Sequence, residues 1–165
     1  TKKDYTNKQE LDKYIYGSAD VVGLMCLKVF CNADQNLYSK LESKAQSLGS
    51  AFQKVNFLRD LKNDKLSLGR NYFPEISNGV FDRNSKKLIE QNIENDFNES
   101  WEGIRMLPGK SKFAVALAYF YYKSLLKKIK ATAPGKLLNK RIRISNFCKY
   151  LIFIRLWFMY KFNLY

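Results

Sequence analysis

The chain has 165 residues, of which 46% are hydrophobic and 15% aromatic, which excludes a disordered protein and fits one globular domain over residues 1–165. It has no histidine, which excludes Ser-His and Cys-His nucleophile pairs, and its three cysteines lack the spacing of a zinc site. The net charge of +14 attracts polyanions in general. However, the lysines are spread along the chain and no nucleic-acid module occurs, so we expect no nucleic-acid partner.

Helical periodicity runs through the chain, and no convincing alternating strand pattern occurs, so the predicted fold class is all-α. The predicted helices span residues 6–30, 38–66, 85–107 and 111–132. From Lys136 onward we expect a helix, a bend near Ser145 and a final helix rich in apolar and basic residues. Glu90 and Glu94 are expected on the polar face of the third helix.

Four polar side chains form a ridge on the second predicted helix. They are Gln53, Asn56, Asp60 and Asp64. At about 100° per residue they fall within an arc of about 80° on an otherwise apolar helix. Two carboxylates one turn apart repel, which indicates a cation between them, and hard oxygen ligands favour Mg²⁺. The alternative is an exposed acidic edge of a surface helix. Arg59 points away from this polar ridge and is expected to pair with a neighbouring acid.

The residues around the polar ridge extend the pattern to QxxNxxRDxxxD followed by GRxYxP. This pattern resembles the second metal motif of the squalene/phytoene synthase family. Residues 14–25, YIYGSADVVGLM, resemble the YxYGxAxxVG helix of that family, and residues 118–129 and 140–145 are similar to its later helices. The resemblance covers almost the whole chain, and the motif sequences are most similar to those of bacterial phytoene synthases.

The resemblance implies an isoprenoid-synthase-type helical bundle, here lacking its N-terminal helices, and a set of site residues. The implied ligands of Mg²⁺, or alternatively Mn²⁺, are Asn56, Asp60 and Asp64. The implied catalytic residues are Asp60, Asp64 and Tyr72. The implied substrate-binding residues are Gln53, Arg70, Tyr14, Tyr121, Arg141, Val22 and Gly49.

The resemblance also implies a reaction, in which two geranylgeranyl diphosphates join head to head through a cyclopropyl intermediate to give phytoene. A squalene-type synthase using farnesyl diphosphate is one alternative, and a noncatalytic basic helical module that binds anionic membranes is another. The family has a second DxxxD motif, which we expect before Thr1. These 165 residues would then hold half a metal site and show little activity alone.

Two further features each have two interpretations. Gly23 and Gly49 lie within predicted helices, where glycine costs about 1 kcal/mol, so they make room either for a ligand or for close helix packing. The apolar segment 150–165 is too short to span a bilayer. It is expected either to dock on the core or to lie at a membrane interface with its cations near lipid headgroups. We therefore expect a cytoplasmic protein, with peripheral contact at the inner face of the membrane as a further prediction.

Overall fold

The computed structural model describes residue 5 and residues 7–68, 71–76, 80–162 and 164–165, with the backbone alone for residues 65–68. Every regular element in these ranges is a helix, which confirms the predicted all-α class. Tyr5 N–H donates to the carbonyl of Asn71 at 3.1 Å and so ties the first described residue to the segment after the long central helix.

The first helical segment consists of α1 (Lys8–Ile15), a π-helical turn (Tyr16–Asp20) and α2 (Val21–Phe30). The Asn7 side chain caps α1 by accepting a hydrogen bond from the Glu10 N–H at 2.9 Å. The π-helical turn widens the helix over one turn without interrupting it. The predicted continuous helix ending at Phe30 is thereby confirmed.

The central helix α3 (Gln35–Leu68) has 34 residues and is about 51 Å long at 1.5 Å per residue. It contacts the first helical segment and the later helices described below, so it forms the axis of the fold. Ala51, Val55 and Leu58 are fully buried along one side, as the helical period requires. The polar ridge lies on this helix, as the sequence predicts.

Two long helices pack beside α3, namely α4 (Arg83–Met106) and α5 (Gly109–Lys130). Asp82 and Ser85 form a reciprocal capping box at the start of α4, with Ser85 N–H donating to Asp82 Oδ1 at 2.8 Å. Between the two helices the chain turns at Gly109, whose φ of +52° lies in the left-handed region that favours glycine.

The C-terminal part differs from the prediction. The helix expected from Lys136 is a single turn, α6 (Pro134–Leu137), and residues 138–145 do not continue it before α7 (Asn146–Lys161) begins. The reason is the alternation of isoleucine and arginine in this segment, which suits an extended chain with one side buried. Ile142 is buried, whereas Arg141 and Arg143 are exposed.

The segment 138–145 is held by contacts with α5. Lys128 Nζ donates to the carbonyl of Arg143 at 2.7 Å, and Ile142 joins the main core together with Leu137. We call residues 138–145 the strap because they link α6 to α7 across the end of α5. Within the described residues, no helix is both long and apolar enough to cross a membrane.

Candidate functional site

A cavity of about 470 Å³ lies between α2, α3, α4 and α5. The side that α3 contributes follows the helical period. Its residues are Leu41, Lys44, Ala45, Leu48, Gly49, Phe52, Gln53 and Asn56. Fifteen residues separate the first from the last, so this side is about 22 Å long. The lining along α3 is long enough for an extended chain.

Two of the glycines that line the cavity lie where helices approach closely. A Cβ on Gly23 would be 3.0 Å from the carbonyl oxygen of Ala45, and a Cβ on Gly49 would be 3.0 Å from the carbonyl oxygen of Ala19. These positions confirm the close-packing interpretation. Both glycines also line the cavity, so they set its width as well, whereas contact with a ligand stays a prediction.

The polar end of the cavity is formed by Gln53, Asn56 and Tyr122. The Tyr122 hydroxyl donates to Asn56 Oδ1 at 3.3 Å, and the Tyr122 ring stacks on Phe52 with centroids 4.1 Å apart. This contact orients the amide and places an aromatic face beside it. The sequence did not single out Tyr122, although Tyr121 beside it was predicted to face the substrate.

One helical turn beyond Asn56, Asp60 is surrounded by two guanidinium groups. Arg59 Nη2 lies 2.6 Å from Asp60 Oδ2, and Arg141 Nε lies 2.6 Å from Asp60 Oδ1. The hydrogen bonds to Asp60 raise the pKa of Arg59 above its ordinary value. The pairing predicted for Arg59 is confirmed, and the strap brings Arg141 to the polar ridge.

The polar ridge offers hard oxygen donors for a divalent cation. Asn56, Asp60 and Asp64 lie within the helix α3 at a spacing of one turn, so they share one face. Amide and carboxylate oxygens fit Mg²⁺ in kind. In number they do not complete a shell, and within the described ranges no three acidic or cysteine residues cluster as a metal site.

Tyr72 and Tyr14 lie in an aromatic cluster with Tyr5 and Phe57. The Tyr72 ring stacks on Phe57 with centroids 3.9 Å apart, and Tyr14 lies 5.9 Å from Tyr72. Tyr72 is buried, with 5% of its surface exposed, and Tyr14 is half-buried. The structure therefore brings these two predicted residues together beside α3, and their catalytic and binding roles stay predictions.

The remaining predicted binding residues occupy different places. Val22 lines the cavity from α2, and its side chain is also 53% exposed. Tyr121 packs edge-on against Tyr122, and Lys149 of α7 lies over its ring at 5.6 Å from the centroid. Arg70 lies outside the described residues.

A buried polar network on the side of α3 next to the cavity was not found from the sequence. Lys54 Nζ donates to Asn92 Oδ1 at 2.6 Å and to Asp96 Oδ2 at 2.8 Å. Asp20, next to Gly49, is 8% exposed, and burial raises its pKa to about 6 despite the nearby Lys54 ammonium. The sequence did carry one signal of this network, because Asp20 stands next to two valines within an apolar helix.

The expectation that Glu90 lies on the polar face of its helix is wrong. Glu90 is buried and pairs with Lys86, which in turn donates to the carbonyl of Lys130. Glu94 does reach the surface and pairs with Lys130 at 2.7 Å. Helical spacing does not separate these two glutamates, because their burial depends on the residues that pack around each of them and not on their positions along α4.

Comparison with known proteins gives consistent matches. Residues 1–78 match the family model described as squalene/phytoene synthase. The chain is 31% identical to a 15-cis-phytoene synthase of Synechocystis over 77% of this chain and 44% of that protein. It is 29% identical to a chloroplastic phytoene synthase 1 of Zea mays, over 79% and 36% respectively.

A third relative carries a different name. The chain is 28% identical to a farnesyl diphosphate phosphatase of Bacillus subtilis, over 78% of this chain and 52% of that protein. The chain therefore spans between about a third and a half of the length of these curated relatives.

Proposed function

The chain belongs to the squalene/phytoene synthase family, and from this premise we propose that it forms part of a prenyltransferase that condenses two geranylgeranyl diphosphates to phytoene. The observation that carries the proposal is a cavity whose lining along α3 spans about 22 Å and ends at Gln53 and Asn56 of the polar ridge. An isoprenoid tail has the apolar, extended form of the cavity, and a diphosphate has the charge that the ridge and its arginines attract.

The polar ridge is the proposed diphosphate end. Asn56, Asp60 and Asp64 would hold Mg²⁺, which supplies Lewis-acid neutralisation of the leaving diphosphate. Further ligands are required, since these three oxygen donors do not fill an octahedral shell. Arg141, whose side chain is 41% exposed, has room to release Asp60 and donate to diphosphate oxygens instead.

The cavity is the proposed place of carbon–carbon bond formation. Loss of diphosphate from an allylic carbon leaves a carbocation, which water would capture if it had access. The mostly apolar lining disfavours water beside the cation, and the faces of Tyr122 and Phe52 at the polar end would stabilise positive charge by cation–π attraction. Head-to-head joining then proceeds through the cyclopropyl intermediate.

Two related reactions use the same parts. Squalene-type synthesis uses farnesyl diphosphate, which has a shorter prenyl tail than geranylgeranyl diphosphate. The length of the cavity lining along α3 favours the longer tail. Hydrolysis is the second candidate, and the relative named farnesyl diphosphate phosphatase favours it. In that reaction water takes the place of the second prenyl group and gives a prenyl alcohol plus diphosphate.

The test uses the full-length protein with labelled geranylgeranyl or farnesyl diphosphate, Mg²⁺, and identification of the products. We expect phytoene from geranylgeranyl diphosphate. Asp60→Asn should lower turnover by about 100- to 1000-fold, because it removes a charged ligand of the Mg²⁺ that would neutralise the leaving diphosphate. The matched control is Asp12→Asn. Asp12 is an exposed residue of α1, and its substitution should change turnover by less than about twofold.

Each other outcome has a defined meaning. If a prenyl alcohol is the main product, the protein is a hydrolase and not a synthase. Unchanged turnover in Asp60→Asn removes the polar ridge from the site. If neither diphosphate gives a product, the remaining alternative is a noncatalytic module that binds membranes. We further propose a cytoplasmic location with peripheral contact at the inner face of the membrane, where long prenyl chains and their hydrocarbon product partition.

A further inference from the structure

The net positive charge of the chain is confined to its C-terminal part. Residues 1–102 contain 15 of the 29 Lys and Arg residues and all 15 Asp and Glu residues, so their charges cancel. Residues 103–165 contain the other 14 Lys and Arg residues and no acid. The whole net charge of +14 therefore lies after Glu102. Lysines are spread along the sequence, but acids are not.

This basic part of the chain comprises the last turn of α4, then α5, α6, the strap and α7. Lys130 and Arg141 pair with Glu94 and Asp60 of the first part. Most of the other cations are exposed. They include Lys110, Lys127, Lys136, Lys140, Arg143, Lys149, Arg155 and Lys161. A surface of this kind attracts an anionic partner of large area.

Helix α7 adds an exposed apolar face to this positive surface. Leu156 is the buried residue of α7, and it marks the side that packs on the core. Phe147, Leu151 and Phe158 lie within about 40° of the opposite side at 100° per residue. Their side chains are 70%, 48% and 51% exposed, whereas a folded helix normally keeps such residues covered.

Aromatic residues and cations flank that outward face. Tyr150 and Trp157 are 61% and 46% exposed, and Arg155 and Lys161 are exposed cations beside this face. Lys149 lies instead on the side of Leu156, with its ammonium over the Tyr121 ring of α5. Tyrosine and tryptophan favour the boundary between hydrocarbon and water, and long cationic side chains reach past it to phosphates. The arrangement is that of a helix lying in a membrane interface.

We propose that α7 is the docking element for an anionic lipid bilayer, with Phe147, Leu151 and Phe158 facing the acyl chains. Arg155 and Lys161 then contact lipid phosphates, and the cations of α5 and the strap add to the attraction. This inference rests on the proposed peripheral location, but it depends on no step of the reaction.

Charge and chemistry favour lipid over a second copy of the chain and over a nucleic acid. A second copy of the chain docking through the same face would bring two surfaces of equal positive charge together, which opposes association. A nucleic acid would satisfy the cations, but its phosphates and bases would leave the aliphatic and aromatic outward face poorly matched. An anionic bilayer provides negative charge and hydrocarbon in one surface.

The first test measures binding of the full-length protein to vesicles of phosphatidylglycerol and phosphatidylcholine by co-sedimentation. The variant replaces Arg155 and Lys161 by glutamine. Since each surface cation near such a membrane contributes about 1 kcal/mol, we expect binding to weaken about 30-fold.

The matched control replaces the exposed Lys13 and Lys40 by glutamine. It removes the same charge from the part of the chain whose charges cancel, and it should change binding by less than about threefold. Equal loss in the two variants would overturn the proposal, because it would show that total charge and not α7 determines binding.

The second test concerns the outward face. Phe147→Ser with Phe158→Ser should weaken vesicle binding about 10- to 100-fold, whereas Met25→Ser with Val29→Ser, on equally exposed residues of α2, should not. Lipids brominated in the acyl chain should quench Trp157, assigned by loss of the quenched signal in Trp157→Phe. Unquenched Trp157, or equal binding to neutral vesicles, would overturn the proposal.

Two more measurements separate the competing occupants and the reaction. If the protein self-associates and Phe147→Ser with Phe158→Ser abolishes this, the partner of the outward face is a second copy of the chain and not lipid. If the protein binds RNA and does not bind vesicles, the partner is RNA. Turnover of geranylgeranyl diphosphate in detergent should be unchanged in the same variant. If vesicle binding follows the prediction while no diphosphate is turned over, the docking proposal stands and the proposed reaction fails.

Discussion

The two ends of the cavity hold their side chains by different forces. At the polar end, Tyr122 donates to Asn56, and Asp60 pairs with Arg59 and Arg141. At the apolar end, Leu27, Leu41 and Leu107 form a separate small core with Cys31. Ion pairs near the surface exchange partners readily, whereas a packed apolar cluster cannot open without losing buried area. The difference indicates a polar end that adapts to a ligand and an apolar end of fixed position.

The largest expected effect is at the apolar end. Leu41 is 1% exposed, so Leu41→Ala should lower the free energy of unfolding by about 2–5 kcal/mol through lost burial and the space left behind. The matched control is Leu88→Ala on α4, where the leucine is 57% exposed and the change should stay within about 0.5 kcal/mol. Urea denaturation monitored by circular dichroism measures both. Similar losses would show that Leu41 does not fix the apolar end.

The next effect is at the polar end. Arg141→Gln removes the strap cation that faces Asp60, and we expect turnover to fall about 10- to 100-fold, with a higher KM for the diphosphate. The control is Arg143→Gln, because Arg143 is also exposed on the strap and contributes its carbonyl rather than its side chain to the contact with Lys128. Equal effects of the two substitutions would assign the loss to general positive charge and not to the polar ridge.

The smallest expected effect lies between the two ends, at Asp20 beside Gly49. Burial raises the pKa of Asp20 to about 6, with Lys54, Asp96 and Asp12 as its charged neighbours. The native state therefore binds more protons than the unfolded state between about pH 4 and pH 6, so this group lowers the free energy of unfolding as the pH rises through that range. Above about pH 6, Asp20 is charged in both states, and the full destabilisation from burying its carboxylate is present.

A neutral residue at position 20 should remove that cost. Asp20→Asn is expected to raise the free energy of unfolding by about 1–2 kcal/mol at pH 7 and to leave it unchanged near pH 4. Urea denaturation at the two pH values measures the difference. A loss of stability at pH 7 would mean that the charged carboxylate is held favourably by Lys54, and the network would then be a stabilising one.

The sequence predicted the helices best where the pattern is continuous. The polar ridge and the buried side of α3 follow directly from the spacing of their residues, since one helix fixes which positions share a face. The strap was missed, although its alternating isoleucines and arginines carried a signal of period two. Short segments give weak patterns, and only contact with α5 shows which side of the strap is buried.

The amino-acid sequence by itself determined the all-α class, the alignment of Gln53, Asn56, Asp60 and Asp64, and the confinement of acids to residues 1–102, because these depend on local spacing and composition. Tertiary structure decided which groups distant in the chain meet. It placed Arg141 on Asp60, buried Glu90 against Lys86, and left the outward face of α7 uncovered. Ion pairs and burial depend on which helices pack together, and spacing within one helix carries no information about its neighbours.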